Sequence, residues 1–366
     1  MNDQKEMGMM NKSWEHLITS EYKRIGIVGM AKNAGKTVTL NALLTFLNNH
    51  NQCVAVMSIG RDGEAEDILT RTKKPKISLK PEMYFATGKE LLNQMTLSCE
   101  ILEETAILTY FGPIVIAKVI KSGDVELTGA NSNAGHKWLM ERLLALGADK
   151  VLIDGAMDRQ TIASPDLIDG YIMATGAVLS HSMNKTVSFT KQRLAQLNLP
   201  LIPKNWQIIF LNACEQSAVS LVEVDGQGDI KKLVSIEALT TGLNVSPIIL
   251  EEITPETEGL LFSGALSAST VRDIFQHWHQ EKPPVFYVKD GTKLFIPYEA
   301  WLTFASWGIT FKVCERTPLI AVTINPTAPQ GYAYDAFSFK EILQKALGEV
   351  VVINVLENEE ENLCIN

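Results

Sequence analysis

The sequence predicts an α/β protein: a mainly parallel sheet carrying a phosphate-binding loop, followed by a second α/β domain. Three observations point there. Residues 24–47, RIGIVGMAKNAGKTVTLNALLTFL, pass from a short apolar strand through a glycine turn into an amphipathic helix. Downstream, short apolar runs alternate with helix-length amphipathic patterns to about residue 213, as expected of strands buried between helices. Beyond Cys214 a further set of strand and helix patterns begins.

The first strand, Ile25–Val28, enters a turn built on Gly29 and Gly35, and a helix spans Thr37–Asn48. Backbone N–H groups of such a turn and of the helix N-terminus converge on one concavity, where the helix dipole adds positive potential. Candidate phosphate contacts are therefore Gly29, Lys32, Asn33, Ala34, Gly35, Lys36, Thr37 and Val38. Lys36 would supply a mobile charge for β- and γ-phosphates, and the Thr37 hydroxyl a ligand for Mg²⁺. The spacing is unusual, since five residues separate Gly29 from Gly35 and Met30 stands where a first glycine is common. Lys32 is four residues before Lys36, whereas dimerising ATPases with a signature lysine place it five before, so a phosphate contact across a homodimer fits poorly.

The next strand, Val54–Ile59, runs into SIGRDGEAED (Ser58–Asp67), which carries Asp62, Glu64, Glu66 and Asp67 beside two glycines. Asp62 is the candidate there for Mg²⁺ or the attacking water; the plainer reading is a solvated acidic loop. With the basic run Arg71–Lys76, the segment could serve as a switch ordered by a γ-phosphate. Pro113–Ile120 and Asp124–Thr128 alternate across Lys121-Ser122-Gly123 and suggest an inserted hairpin, before a helix over Gly135–Leu146. VLIDGAMDR then gives a strand, Lys150–Ile153, ending at Asp154. Ligands of open parallel sheets sit at the carboxyl ends of strands, so Asp154 is a second Mg²⁺ candidate, the alternative being a turn aspartate. Arg61 and Arg159 could clamp charge or simply pair with nearby acids. A strand over Tyr171–Ala174 ends at Thr175-Gly176, which would line the site, and a helix covers Lys185–Leu197. A strand over Gln207–Leu211 would end at Asn212, a base-reading residue or a turn former.

The later elements are a hairpin (Ala218–Val224 with Ile230–Ile236), a helix near Ser267–Gln280, a strand Val285–Val288 and a helix near Tyr298–Trp307. A buried strand Pro318–Ile324, a helix Ser338–Leu347 and a strand Val350–Leu356 follow. Asn325-Pro326 with Pro329-Gln330-Gly331 shapes a loop, read as a turn or an interface. The expected division is 1–23, an N-terminal extension; 24–213, the nucleotide-binding domain; and 214–366, a partner or substrate domain.

Composition limits the remaining classes. The 366 residues are 46% hydrophobic and 20% charged, with net charge −9, which speaks against a broad nucleic-acid surface. No run is long enough to span a bilayer. The first 24 residues mix acidic with basic side chains and lack the apolar core of a targeting peptide. Five scattered cysteines with no Cys-x-x-Cys pair suggest a reducing compartment, so a cytoplasmic protein is expected. His277 and His279 face different ways on a helix and make a poor metal pair. No Ser/His/Asp or Cys/His set is legible.

The Gly29–Gly35 gap with strand-end acids at Asp62 and Asp154 resembles the dethiobiotin synthetase branch of P-loop NTPases, over about the first 210 residues. That resemblance implies a P-loop NTPase domain with ATP and Mg²⁺, the metal held by Thr37, Asp62 and Asp154. Two departures matter. That enzyme's lysine-proline pair after its second strand is replaced here by Ser58-Ile59-Gly60-Arg61, and its strand-end glutamate by Asp154-Gly155-Ala156-Met157. Over most of the chain, GMAKNAGKTVTLN, SIGRDGE, TKKPKISL, IDGAMDRQTIASP, ATGA and INPTAPQG are similar to a bacterial family of reactivase subunits. Its members accompany adenosylcobalamin-dependent lysine or ornithine aminomutases and pair with an ATPase resembling MutS proteins. The likeness implies an ATP-hydrolysing switch with Lys36, Asp62 and Asp154 catalytic and those proteins as partners. An ATP-dependent small-molecule ligase or kinase, and a nucleotide-sensing adaptor without turnover, are the alternatives.

Overall fold

The computed structural model describes residues 14, 15, 17, 21–60, 76–155, 163–236 and 246–356. In chain order the strands are β1 (Arg24–Gly29), β2 (Val54–Ser58), β3 (Ile77–Leu79), β4 (Tyr84–Gly88), β5 (Ser98–Thr109), β6 (Gly112–Lys121), β7 (Gly123–Val125), β8 (Lys150–Asp154) and β9 (Gly170–Gly176). They continue with β10 (Val219–Val224), β11 (Ile230–Ser235), β12 (Thr257–Phe262), β13 (Leu266–Ser267), β14 (Val285–Val288), β15 (Leu294–Phe295), β16 (Thr310–Val313), β17 (Leu319–Asn325) and β18 (Val352–Asn354). The helices are α1 (Lys36–Asn49), α2 (Asn133–Ala145), α3 (Met183–Leu197), α4 (Lys204–Gln216), α5 (Ser246–Glu252), α6 (Ala268–Gln276), α7 (Tyr298–Ser306) and α8 (Ala336–Leu347).

The protein is α/β with a mainly parallel large sheet. Among the described residues, nine strands form it in the order β18-β17-β9-β1-β8-β2-β4-β6-β5. Neighbours from β18 to β4 run parallel, and β6 and β5 each pair antiparallel. Strands β2 and β9 are buried at every residue, which is why they read as unbroken apolar runs rather than as alternation. Leu40, Leu43, Leu44 and Leu47 of α1 pack with Ile25, Ile27, Val54, Val56 and Leu152 of the sheet. Their spacing along α1 follows the helical period.

Contacts divide the chain differently from the expected break at 213/214. One unit comprises the residues through Thr190 together with those from Pro318 onward; the other is Lys191–Thr317. The chain returns because PLIAVTIN is a largely apolar run, buried from Ile320 to Ile324, that needs cover on both faces, and β17 finds its partners in β9 and β18. The second unit has its own five-stranded sheet, β11-β10-β12-β14-β16, and its own core around Phe262, Phe286, Phe304 and Val288.

Two further expectations are corrected. The run Gln207–Leu211 is not a strand but the middle of α4. Trp206, Phe210 and Ala213 are buried at helical spacing, and Ile208 and Ile209 stay exposed; Pro203 at the cap marks the start. Likewise, β6 pairs with the upstream β5, while β7 pairs with β3. Strand β5 carries Glu100, Glu103 and Glu104, residues disfavoured in strands, so its sequence concealed it. Ion pairs hold two of them, Glu104 with Lys89 and Glu103 with Arg142, both at 2.5 Å.

At the amino edge of the central strands, Asp169 accepts from Arg24 Nη2 at 2.6 Å and Nε at 3.1 Å, and from the Lys23 and Arg24 amides at 3.0 and 2.8 Å. Burial opposes ionisation of Asp169, but these bonds outweigh it and hold its carboxyl below the ordinary value. A depressed carboxylate contributes stability above its unfolded pKa and loses it as pH falls through the folded one. Asp169→Asn is therefore expected to cost about 1.5–3 kcal/mol at pH 7. In urea titrations the gap between wild type and variant should close below about pH 4.

No helix among the described residues is long and apolar enough to cross a membrane.

Candidate functional site

The Gly29–Thr37 turn leaves the carboxyl end of β1, the middle strand of the parallel region. The connection from β1 leads to β2 on one side, and that from its neighbour β9 leads to β17 on the other. Such a reversal opens a crevice at the carboxyl ends of the strands. The Met30 N–H anchors the turn to the Ala174 carbonyl of β9 at 2.9 Å, and Ala34 N–H closes onto Ala31 at 3.3 Å. Asn33 (φ 62°) and Gly35 (φ 102°) are both left-handed, a conformation Asn tolerates better than most side chains. Gly35 caps α1 with no side chain to close the first turn, and that turn contains no acidic residue. The helix end is thus left open to an anion.

Lys36, the first residue of α1, folds back over the end of β1. A Cβ at Gly29 would lie 2.8 Å from Lys36 Cγ, 2.9 Å from Cδ and 3.0 Å from Nζ. Glycine at 29 thus makes room for the lysine to arch across the turn. Thr37 is half-buried in the same helical turn, and Val38 packs against the core. Within the loop Ala34 is buried, Asn33 exposed and Lys32 half-buried.

Asp154 ends β8, the strand beside β1, in register with Ile27 of β1 and Ser58 of β2. Its carbonyl accepts from the Ile59 amide at 3.0 Å, and its Oδ1 is closed off from solvent. The carboxylate therefore belongs to the same sheet edge as the Lys36 turn. Asp62, Arg61 and Arg159 lie outside the described residues, as do Glu64, Glu66 and Asp67. The approach to that segment is described: Gly60 N–H donates to Ser58 Oγ at 2.9 Å, and Gly129 N–H to the Gly60 carbonyl at 3.0 Å. Gly129 passes so close that a Cβ there would sit 2.2 Å from the Ser58 carbonyl oxygen.

Thr175 does not line the site, because its hydroxyl is buried and shared with Thr190 Oγ1 at 2.7 Å. Gly176 is needed where it stands, its Cβ position being 2.4 Å from the Asn325 carbonyl oxygen. Asn212 ends no strand; it is an exposed residue of α4 in the second unit. Among the described residues no three His, Cys, Asp or Glu side chains converge as a metal cage. Magnesium is seldom held by an all-protein cage, usually keeping waters and substrate phosphates beside one or two carboxylates.

A residue of the loop read as a turn or an interface borders the site instead. Asn325, the last residue of β17, donates from Nδ2 to the Asn33 carbonyl at 3.1 Å and accepts from the Thr327 amide at 3.1 Å. Its Cβ lies 3.1 Å from where a Cβ on Gly35 would be. Beyond it the chain doubles back, with Ala328 N–H to Tyr332 O at 2.9 Å and Tyr334 N–H to Pro326 O at 2.8 Å. Tyr332 donates to the Ala177 carbonyl at 2.6 Å, Tyr334 to the Ser180 carbonyl, and His181 stacks on Tyr332 at 4.0 Å. The signal was present in INPTAPQGY, a Pro- and Gly-rich loop directly after a buried strand. It was missed because that strand was assigned to a separate domain. Asn325→Ala is expected to cost about 1 kcal/mol, and to speed amide exchange at Asn33–Lys36 while the core strands keep wild-type protection.

Searches of protein-family models, curated proteins and solved structures found no match to this chain.

Proposed function

We propose that the protein is a P-loop NTPase that binds ATP with Mg²⁺ at the Gly29–Thr37 turn and uses its turnover to switch a partner protein. The observation that carries this reading is Lys36 folded over Gly29 at an open helix N-terminus, on the crevice side of a parallel sheet. The N–H groups of residues 34–37 and the Lys36 ammonium would hold the phosphates and stabilise charge developing on them. The Thr37 hydroxyl and the Asp154 carboxylate would hold Mg²⁺, with Asp62 a further candidate. Bound Mg²⁺ would neutralise charge on the β- and γ-phosphate oxygens. In this reading the nucleoside end lies toward Ala177–His181 and Asn325–Tyr334, in place of the role expected of Asn212.

The partner comes from the family resemblance alone: an adenosylcobalamin-dependent lysine or ornithine aminomutase, with a MutS-like ATPase as second subunit. Releasing a damaged, tightly held cofactor costs free energy, which ATP turnover coupled to a protein contact can supply. The test is steady-state ATP hydrolysis with Mg²⁺, with and without an aminomutase carrying inactivated cobalamin. A rate that rises with the mutase supports the switch. A rate indifferent to the mutase but dependent on a metabolite favours a ligase or kinase, and ATP binding without any turnover favours a passive sensor.

A further inference from the structure

Two residues of the Gly29–Thr37 turn have left-handed backbones, Asn33 at φ 62° and Gly35 at φ 102°. Glycine adopts such angles as readily as ordinary ones, whereas an L side chain disfavours them, Asn less than most. Gly35 thus needs no support from outside the turn, and Asn33 does. Strand β17 supplies it. Asn325 Nδ2 donates to the Asn33 carbonyl at 3.1 Å, and Asn325 Oδ1 accepts from the Thr327 amide at 3.1 Å. The Asn325 Cβ lies 3.1 Å from where a Cβ on Gly35 would be, so one side chain touches both left-handed residues. Thr323, two positions earlier and on the same face of β17, shares a hydrogen bond with Thr39 of α1 at 2.7 Å. Both threonines are buried, and the Thr39 amide donates to the Gly35 carbonyl at 2.9 Å. The strand is fastened to the phosphate-binding turn and to the start of the helix that follows it.

We propose that Asn325 is a positioning residue that holds the phosphate-binding turn in its binding shape through the Asn33 carbonyl, and that it does not read the nucleotide base. The inference rests on the nucleotide reading given above. An asparagine reads a base edge by offering its amide donor and acceptor together. Here the donor faces Asn33 and the acceptor faces Thr327, so rotating the amide toward a base would break both bonds.

The bond acts on binding through the shape of the empty turn. The N–H groups of residues 34–37 converge on an anion only while the left-handed angles are kept. With the Asn325 donor removed, Asn33 relaxes toward ordinary angles, and the apparent affinity falls with the fraction of molecules that keep the binding shape. The whole loss then falls on the phosphates and none on the base. Glycine at position 33 would lift the cost of the left-handed angle and make the Asn325 bond dispensable. The Asn33 carbonyl that Asn325 meets is backbone, so that substitution leaves the bond itself available.

The test is calorimetric titration of the full-length protein with MgATP and with magnesium tripolyphosphate, which offers phosphates without a base. Asn325→Ser keeps an oxygen for the Thr327 amide but is too short to reach Asn33. It is expected to weaken both ligands by the same factor, about 3- to 10-fold. Adding Asn33→Gly to that variant should return both to within about 2-fold of wild type. Asn33→Gly alone should change neither by more than about 2-fold. Asn325→Ala gives the same comparison if the serine variant does not fold. Three results would overturn the proposal: unchanged binding of both ligands in Asn325→Ser, weakened MgATP with unchanged tripolyphosphate, or a loss that Asn33→Gly leaves in place. Wild-type protein that bound neither ligand would remove the nucleotide reading itself, and the proposal with it.

Discussion

Lys36→Ala is expected to raise the Kd for ATP by about 10- to 100-fold and to lower Mg²⁺-dependent turnover by about 10³-fold. The substitution removes the side chain that arches over Gly29 and leaves the backbone turn in place. Alanine at the first position of α1 is a good helix former, so thermal stability should stay close to wild type. This separates loss of a phosphate contact from loss of fold. Calorimetric titration with ATP and a phosphate-release assay would read both terms, and a variant that still hydrolysed ATP at the wild-type rate would remove the nucleotide assignment altogether.

Asp154→Asn is expected to act on the metal rather than on the nucleotide. Asparagine keeps the size of the side chain and an acceptor oxygen but cancels the charge that would hold Mg²⁺. Turnover should fall by about 10²-fold or more, while affinity for metal-free ATP stays within a factor of about 3 or rises slightly, since a carboxylate near the phosphates is gone. Raising Mg²⁺ should recover part of the rate. Mn²⁺, which also accepts oxygen ligands, should recover more. If Asp154→Asn weakened metal-free ATP binding as strongly as Lys36→Ala, the carboxylate would be shaping the turn instead of holding a metal.

The strands beside the turn were legible because each is buried on both faces and bounded by glycine or a charged residue. Ile25–Val28, Lys150–Ile153 and Tyr171–Ala174 were found within a residue or two of β1, β8 and β9. The glycine turn could be read because its signals are local: Gly35 takes a left-handed φ of 102°, and Gly29 leaves room for the nearby Lys36 side chain. Other features depend on tertiary partners. Strand β5 is rich in glutamate and stands at the sheet edge, so no apolar alternation announces it. The run around Phe210 is short and apolar, and periodicity alone does not separate a buried strand from a helix at that length. The return of β17 to the first sheet hid Asn325, which lies 292 positions from the Asn33 carbonyl it meets. Long-range pairing of that kind is set by the fit of whole surfaces, and no local pattern encodes it.

The most direct measurement is amide hydrogen exchange of the full-length protein with and without MgATP. Phosphate oxygens accepting from the turn should slow exchange at residues 30–38, and a nucleoside held beside Asn325 should slow residues 325–334. Lys36→Ala should show neither effect at the same ATP concentration. Unchanged exchange at residues 30–38 under saturating MgATP, or protection confined to the Lys191–Thr317 unit, would contradict nucleotide binding at this turn.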